Sequence, residues 1–492
     1  MRLGSRALQP QALIIVGLLL FVSAIFLTVS PRNPPGFNHD EMAITYNAAT
    51  LAAHGRDEYG ARFPLFIRSF GDYKSPVYVY ALAGIFTVTG PSTAVARTFS
   101  AVLGLAAILA IFALALLMTK RPLLSLAVTL GAGLSPWLFE ISRLVFEVAL
   151  EPLLITGLLI AVYRVSAAEK WRLTDAAAIG VLLAAIAYAY QAGKLLAVLY
   201  AVGIAVFYGR RQPKGVAVAL GLFGLLLAPL LPYNARHPGA ISARFTPRTY
   251  IHHGMSWWTI AWDFVKHYLL NMNLWEWATR GDPNARHHVP GTGSIFFVTT
   301  AIALVGLVVV LRHHRSSPWW RFVVFCALMS AVPSSLISGL NHSLGLIALP
   351  VFLAVFTIPG LAWIASMRNV TLRLAVVAVL VLGFSAEAVR WQVVFHRDGP
   401  KRADVFEAGF EPAFAGAVRH GGTIYARRSD HGAYIGSLLF GLLDGRPRSS
   451  IVILEDGQNT PRGAIVMGRP GECVGCTVLG SSGEFQSYIR PR

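Results

Sequence analysis

Apolar residues fall into long runs over the first four-fifths of the chain, separated by short polar stretches. The runs are roughly 17–25 residues long, enough for a helix to cross a hydrocarbon core of about 30 Å. They predict about eleven transmembrane helices, near 12–30, 93–118, 122–138, 145–163, 174–190, 195–208, 215–232, 294–311, 321–338, 343–365 and 371–390. Segment 75–90 is also apolar and is expected to lie at the interface or insert only partly. Two long loops remain, 31–92 and 234–293. The second holds Trp257, Trp258, Trp262, Trp275 and Trp277. Tryptophan favours the headgroup level, so 257–277 reads as amphipathic helices lying on the membrane. After Trp391 the period changes: 423–426, 451–454 and 464–467 read as short strands, and 431–443 as a helix. The predicted architecture is an all-α polytopic membrane domain over 1–390, followed by a small α/β domain over 391–492.

Composition supports this division. Of 492 residues, 55% are hydrophobic and only 13% are charged, about half the charged share of a soluble chain. The net charge of +18 would suit nucleic acid, but its distribution argues against that partner. Much of the excess sits in short loops between spans: Lys120 and Arg121; Arg164, Lys170 and Arg172; Arg210, Arg211 and Lys214; Arg312 and Arg315; Arg368 and Arg373. With eleven spans these loops share one side, as the positive-inside bias requires of the cytoplasmic side. A full crossing by 75–90 would invert the bias. Arg2 and Arg6 precede the first run and place the N-terminus inside, the run being long for a cleaved signal peptide. Both long loops and the C-terminal domain are then extracytoplasmic, in a multi-pass protein of a bacterial plasma membrane. There Cys473 and Cys476 can form a local disulfide, inert thiols being the alternative, while Cys326 falls inside a span.

The carboxylates sort to the same side. Before residue 392 the outer set includes Asp40, Glu41, Asp72, Glu140, Glu147, Glu151 and Asp282, and the inner set is Glu169 and Asp175. Acid–base chemistry therefore belongs to the outer face. Asp40-Glu41 lies just beyond the first span and opens a stretch with helical spacing, Met42, Ile44, Tyr46, Ala49 and Leu51. Asp40 has two readings, a functional carboxylate beside the membrane or an N-cap. Lys74 ends the first loop before an aromatic segment and suits a lipid phosphate, with interfacial snorkelling as the bland alternative. Arg143 and Glu147 stand four apart, the spacing of a helical pair. Gly281-Asp282-Pro283-Asn284-Ala285-Arg286-His287-His288 brings a guanidinium and two imidazoles together as a candidate anion site. His342 sits in another outer turn. No Asp-x-Asp motif stands out, so neither a cofactor nor a divalent metal is favoured.

Together these residues resemble the GT-C membrane glycosyltransferases, in the branch of protein O-mannosyltransferases and the lipid A aminoarabinose transferase, and most of all bacterial family 39-like proteins. The resemblance covers about residues 10–390. It rests on Asp40-Glu41, Lys74-Ser75-Pro76 with the aromatic helix after it, Arg97, Ser142-Arg143 with Glu147, and the 281–288 stretch. Relatives often carry Lys-Pro-Pro at Lys74-Ser75-Pro76, and many have a basic residue shortly after the histidine matching His342, where this chain has Leu344-Gly345. The resemblance implies a polyprenyl-phosphate sugar donor and a hydroxyl acceptor on an envelope glycan, lipid or protein. It implies that Asp40 is the general base of an inverting transfer, with Glu41 orienting it or the acceptor. Lys74, Arg286 and His287 are the groups expected on the donor phosphate, with Arg143, Glu147 and His342 in support. A lipid-linked glycan flippase or other transporter is the alternative from another class. An envelope-glycan polymerase or ligase is a third reading.

Overall fold

The structure, a computed structural model, describes residues 10–28 and 33–491; Arg2 and Arg6, expected to fix the N-terminus inside, lie outside the described residues. The chain divides into two compact units. One comprises Met1–Thr28, Ala101–Ser142 and Val148–Val393, and the other Val29–Ser100, Arg143–Glu147 and Val394–Arg492.

The first unit is helical. Along the chain, every expected span carries a helix. Among the described residues six helices have full crossing length and composition: Thr93–Thr119, Glu147–Ser166, Gln191–Tyr208, Pro213–Arg236, Ala348–Ala365 and Val370–Arg402. Gln11–Leu27, Pro122–Gly133, Leu173–Ala189 and Phe297–His313 are shorter apolar helices on four more expected spans. The segment expected at 321–338 is helical over Pro318–Met329 and then breaks before the short helix Val332–Ser335. Pro333 explains the interruption, because a proline ring clashes with the carbonyl four residues back. Backbone contact fixes one helix pair. A Cβ on Gly306 would meet the Phe356 carbonyl oxygen at 1.8 Å, so Phe297–His313 and Ala348–Ala365 approach as only a small residue allows. In the long loop Trp257–Asn271 forms a helix, with Trp257, Trp258 and Trp262 exposed. Trp277 departs from that pattern. It is buried and stacks on Trp137 at 4.0 Å between ring centroids.

The second unit joins the first long loop to the C-terminal domain. The loop supplies helix His39–His54, the antiparallel hairpin of β1 (Ile67–Ser69) and β2 (Asp72–Lys74), and helix Pro76–Thr89. The C-terminal part builds a five-stranded sheet from β3 (Ile424–Arg427), β4 (Ile451–Leu454), β5 (Ile465–Gly468), β6 (Thr477–Ser482) and β7 (Phe485–Ile489), in the order β4-β3-β5-β7-β6. β3 lies parallel to β4 and β5, and β7 antiparallel to β5 and β6. The expected strands and the helix His431–Leu443 are present; β1, β2, β6, β7 and helix Phe410–His420 were not expected. Cys473 and Cys476 form the local disulfide. Asn33 ties loop to tail, its side-chain amide donating to the Phe395 carbonyl at 2.6 Å.

Candidate active site

The helix that carries Asp40 starts with a capping box. Asn38 is its N-cap, and its side-chain oxygen accepts from the Asp40 and Glu41 amides. Glu41 returns the bond, its Oε2 accepting from the Asn38 amide at 3.2 Å. This is the reciprocal arrangement that satisfies two exposed donors at once. Capping by Asp40, one of the two readings of its sequence, is thereby corrected: Asn38 does that work.

Asp40 is instead paired. Lys74 Nζ donates to Asp40 Oδ1 at 2.6 Å, the Lys74 side chain being 2% exposed and that of Asp40 26%. The hairpin sets this geometry. Lys74 is the last residue of β2, with its ammonium 5.4 Å from the Phe70 ring centroid. The charge-assisted bond from a buried ammonium keeps the partly exposed carboxylate aimed while leaving it a wet face.

Glu41 is wholly buried. Its carboxylate accepts from Arg97 Nη2 at 2.9 Å and Nε at 3.2 Å, and from the Val145 amide at 3.1 Å. Arg97 also donates to the Pro34 carbonyl at 2.8 Å. Glu41 therefore ties three segments of the second unit together. Glu147 is buried, and its Oε1 accepts from the Ser75 amide beside Lys74. Arg143 is buried as well, and burial lowers its guanidinium to about 10. The expectation that Arg143 and Glu147 share a helix face is corrected, since 142–146 is turn and loop and Glu147 begins a 3-10 turn.

The 281–292 turn of the first unit is a closed network. His287 Nδ1 lies 3.1 Å from Asp282 Oδ2, which also accepts from the Ser343 amide at 2.7 Å. The His342 ring packs edge-on against His287 at 4.9 Å. Burial alone would raise Asp282; the hydrogen bond and charge of His287, with His342 and the Asn284 amide, outweigh it and bring the carboxyl to about 2. Burial, then the charge of His287, pulls His342 down to about 4, so it is neutral at pH 7. Arg286 is half-buried, its amide held by Asn284 Oδ1 at 3.0 Å. His288 bonds Glu140 Oε1 at 3.1 Å and the Thr292 carbonyl at 2.7 Å. Burial opposes its protonation, but the Glu140 charge and hydrogen bond prevail and raise it. The Glu140–His288 pair is 148 residues apart in sequence, and no local spacing announces it. Among the described residues no group of three or more His, Cys, Asp or Glu side chains is arranged to hold a metal ion.

His39 is a further residue that sequence reasoning missed. Its Nδ1 is 2.5 Å from Glu407 Oε1, and its Nε2 is 3.9 Å from Asp40 Oδ2.

Comparison with solved structures identifies the fold. The chain matches ArnT from Cupriavidus metallidurans bound to undecaprenyl phosphate, with a TM-score of 0.61, 13% identity and 98% of each chain covered. The apo state of that protein matches with a TM-score of 0.58, 13% identity and 97% of each chain covered. No protein-family model matches the chain, and no curated protein matches it by sequence. The fold is therefore like that of ArnT. As expected, it is polytopic and helical with a small sheet domain at the C-terminus.

Proposed function

We propose that this chain is a membrane glycosyltransferase that moves a sugar from a polyprenyl-phosphate donor to a hydroxyl acceptor at the outer face of a bacterial plasma membrane. The observation that carries the reading is the Asp40–Lys74 pair, a partly exposed carboxylate fixed at 2.6 Å by a buried ammonium in a chain of ArnT fold. The undecaprenyl phosphate bound to ArnT supports a polyprenyl-phosphate lipid as the ligand class. The excess of basic residues in the short loops supports the outer placement.

A hydroxyl is a weak nucleophile, and a carboxylate within hydrogen-bond reach activates it. In the proposed reaction Asp40 accepts the acceptor proton as the oxygen attacks the anomeric carbon. The bond from that carbon to the phosphate oxygen breaks on the opposite face, and its electron pair leaves with the lipid phosphate, giving inversion. Charge developing on the phosphate calls for a fixed cation. Lys74 suits the role because an ammonium has three donors, so a bond to Asp40 does not exhaust it. Arg286 and His287 are proposed as anion-holding groups in their own unit. Acceptors to be tried are an envelope glycan, a lipid and a protein.

The test is transfer by the full chain in lipid nanodiscs. Asp40→Asn is expected to lower transfer at least about 100-fold while undecaprenyl phosphate binding stays within threefold. Unchanged transfer overturns the role of Asp40. Lipid movement across the bilayer without transfer by the wild type favours the transporter.

A further inference from the structure

Asp40 has a difficulty as a base. An ion pair with a buried ammonium favours the carboxylate, so a proton taken from an alcohol is held poorly and needs a second acceptor. His39 supplies one within the same unit. A carboxylate can only accept, so His39 Nδ1 carries the hydrogen that bonds Glu407 Oε1 at 2.5 Å. The lone pair is then on Nε2, 3.9 Å from Asp40 Oδ2. That gap is too long for a hydrogen bond and short enough for a small rotation, or one bridging oxygen, to close. Both His39 and Asp40 are partly exposed, at 29% and 26%, whereas Glu407 is 8% exposed.

The surroundings of Glu407 point to more than a structural bond. Its Oε2 is buried without a hydrogen-bond partner, an arrangement that is costly when nothing compensates it. Its backbone adopts φ +52°, a left-handed conformation unusual for a non-glycine residue. Gly36 lets the first loop meet this segment: a Cβ there would stand 2.5 Å from the Phe406 carbonyl oxygen and 2.4 Å from Ala408 Cα. Glu407 also lines a cavity of about 570 Å³ with Arg97 and Glu411. Among the charged or titratable groups facing His39 are Asp40, Glu407 and His431, whose ring centroid is 6.2 Å away, with Lys74 behind Asp40. Burial, then the charge of His39, pulls His431 below the usual histidine range. The anions beside His39 are the carboxylates of Glu407 and Asp40.

We infer that His39, oriented by Glu407, receives the proton that Asp40 takes from the acceptor hydroxyl. The inference rests on the glycosyl transfer proposed above. The acceptor O–H proton passes to Asp40 and then to His39 Nε2. The resulting imidazolium is balanced by Glu407 and gives its proton to water, restoring the site. His39 acts through Asp40, and Glu407 is its positioning residue. The C-terminal domain thereby contributes to the chemistry.

Two measurements on the full chain test this. Histidine Cε1-labelled NMR follows the titration of His39, assigned by His39→Gln. Glu407→Gln is expected to lower its midpoint by about one pH unit, a tenfold loss of proton affinity. In transfer assays His39→Gln is expected to reduce kcat about 10–100-fold with KM within twofold. Added imidazole should restore part of the activity of His39→Ala. His39 must be neutral to accept a proton, so the wild-type rate should fall as pH drops below its midpoint, and Glu407→Gln should move that acid limb to lower pH. A midpoint indifferent to Glu407→Gln, or an unaltered kcat and pH profile in His39→Gln, overturns the inference. If the wild type transfers no sugar, the transfer reading fails and the relay with it, whereas the NMR arm can fail while transfer stands.

Discussion

The stretches 39–74 and 281–292 look alike in sequence, each mixing acid, imidazole and a strong cation, yet they are built in opposite senses. In the first, one carboxylate of the acidic pair is sealed in, Glu41 on Arg97, and its neighbour Asp40 keeps a wet face. In the second, both acid–imidazole pairs are closed off, Asp282 with His287 and Glu140 with His288. Adjacent residues on a helix point in different directions, so a double acid can divide its labour. The buried pairs of this turn are consistent with a brace, where hydrogen-bonded buried groups rigidify their surroundings.

Several substitutions would break or sharpen this contrast. Arg97→Met leaves Glu41 buried without its cation, a loss of about 3–5 kcal/mol. A thermal melt in detergent should show it, and Glu41→Gln on that background should recover part. Gly36→Ala drives a Cβ into the 406–408 backbone at a left-handed φ. We expect a loss of about 2–4 kcal/mol, together with weakened coupling between His39 and Glu407 in the NMR titration. Asp282 sharpens the other side of the contrast. Its carboxyl is depressed to about 2 from an ordinary value of 3.8, so its stabilisation is present above about pH 4 and is lost as pH falls toward 2. At 1.36 kcal/mol per pH unit this is about 2 kcal/mol. Asp282→Asn should lose that amount at pH 7 and flatten the acid side of the melting curve. The exposed pair of Arg280 and Glu276 lies beside this turn, and Arg280→Ala should change stability by less than about 0.5 kcal/mol.

Much of this architecture was legible because hydrophobic periodicity reports burial directly. A helix on each expected span, the helix opened by Asp40-Glu41 and three strands of the C-terminal sheet follow from it. The capping box was also within reach, since Asn38 and Glu41 stand at the required spacing; it was overlooked because Asp40 drew the capping role. The hairpin β1–β2 was harder, with strands of three residues each that are too short for an alternation to register. The break at 142–146 defeated the spacing of Arg143 and Glu147, because i,i+4 has meaning only inside a continuous helix. The partners His39 and Glu407, separated by 368 residues, are joined by tertiary folding alone, which no window along a single sequence can display.

The second unit is assembled from segments far apart in the sequence, 29–100, 143–147 and 394–492. Asp40 and Lys74 leave the ribosome early, but the stretch that holds Glu407 and the strands of the sheet is made only after everything from 148 to 393. During synthesis, therefore, the first loop must wait, its cradle unfinished, until translation has passed residue 407. A nascent chain halted before that point would carry the aspartate and the lysine without the partner that the later segment supplies to His39.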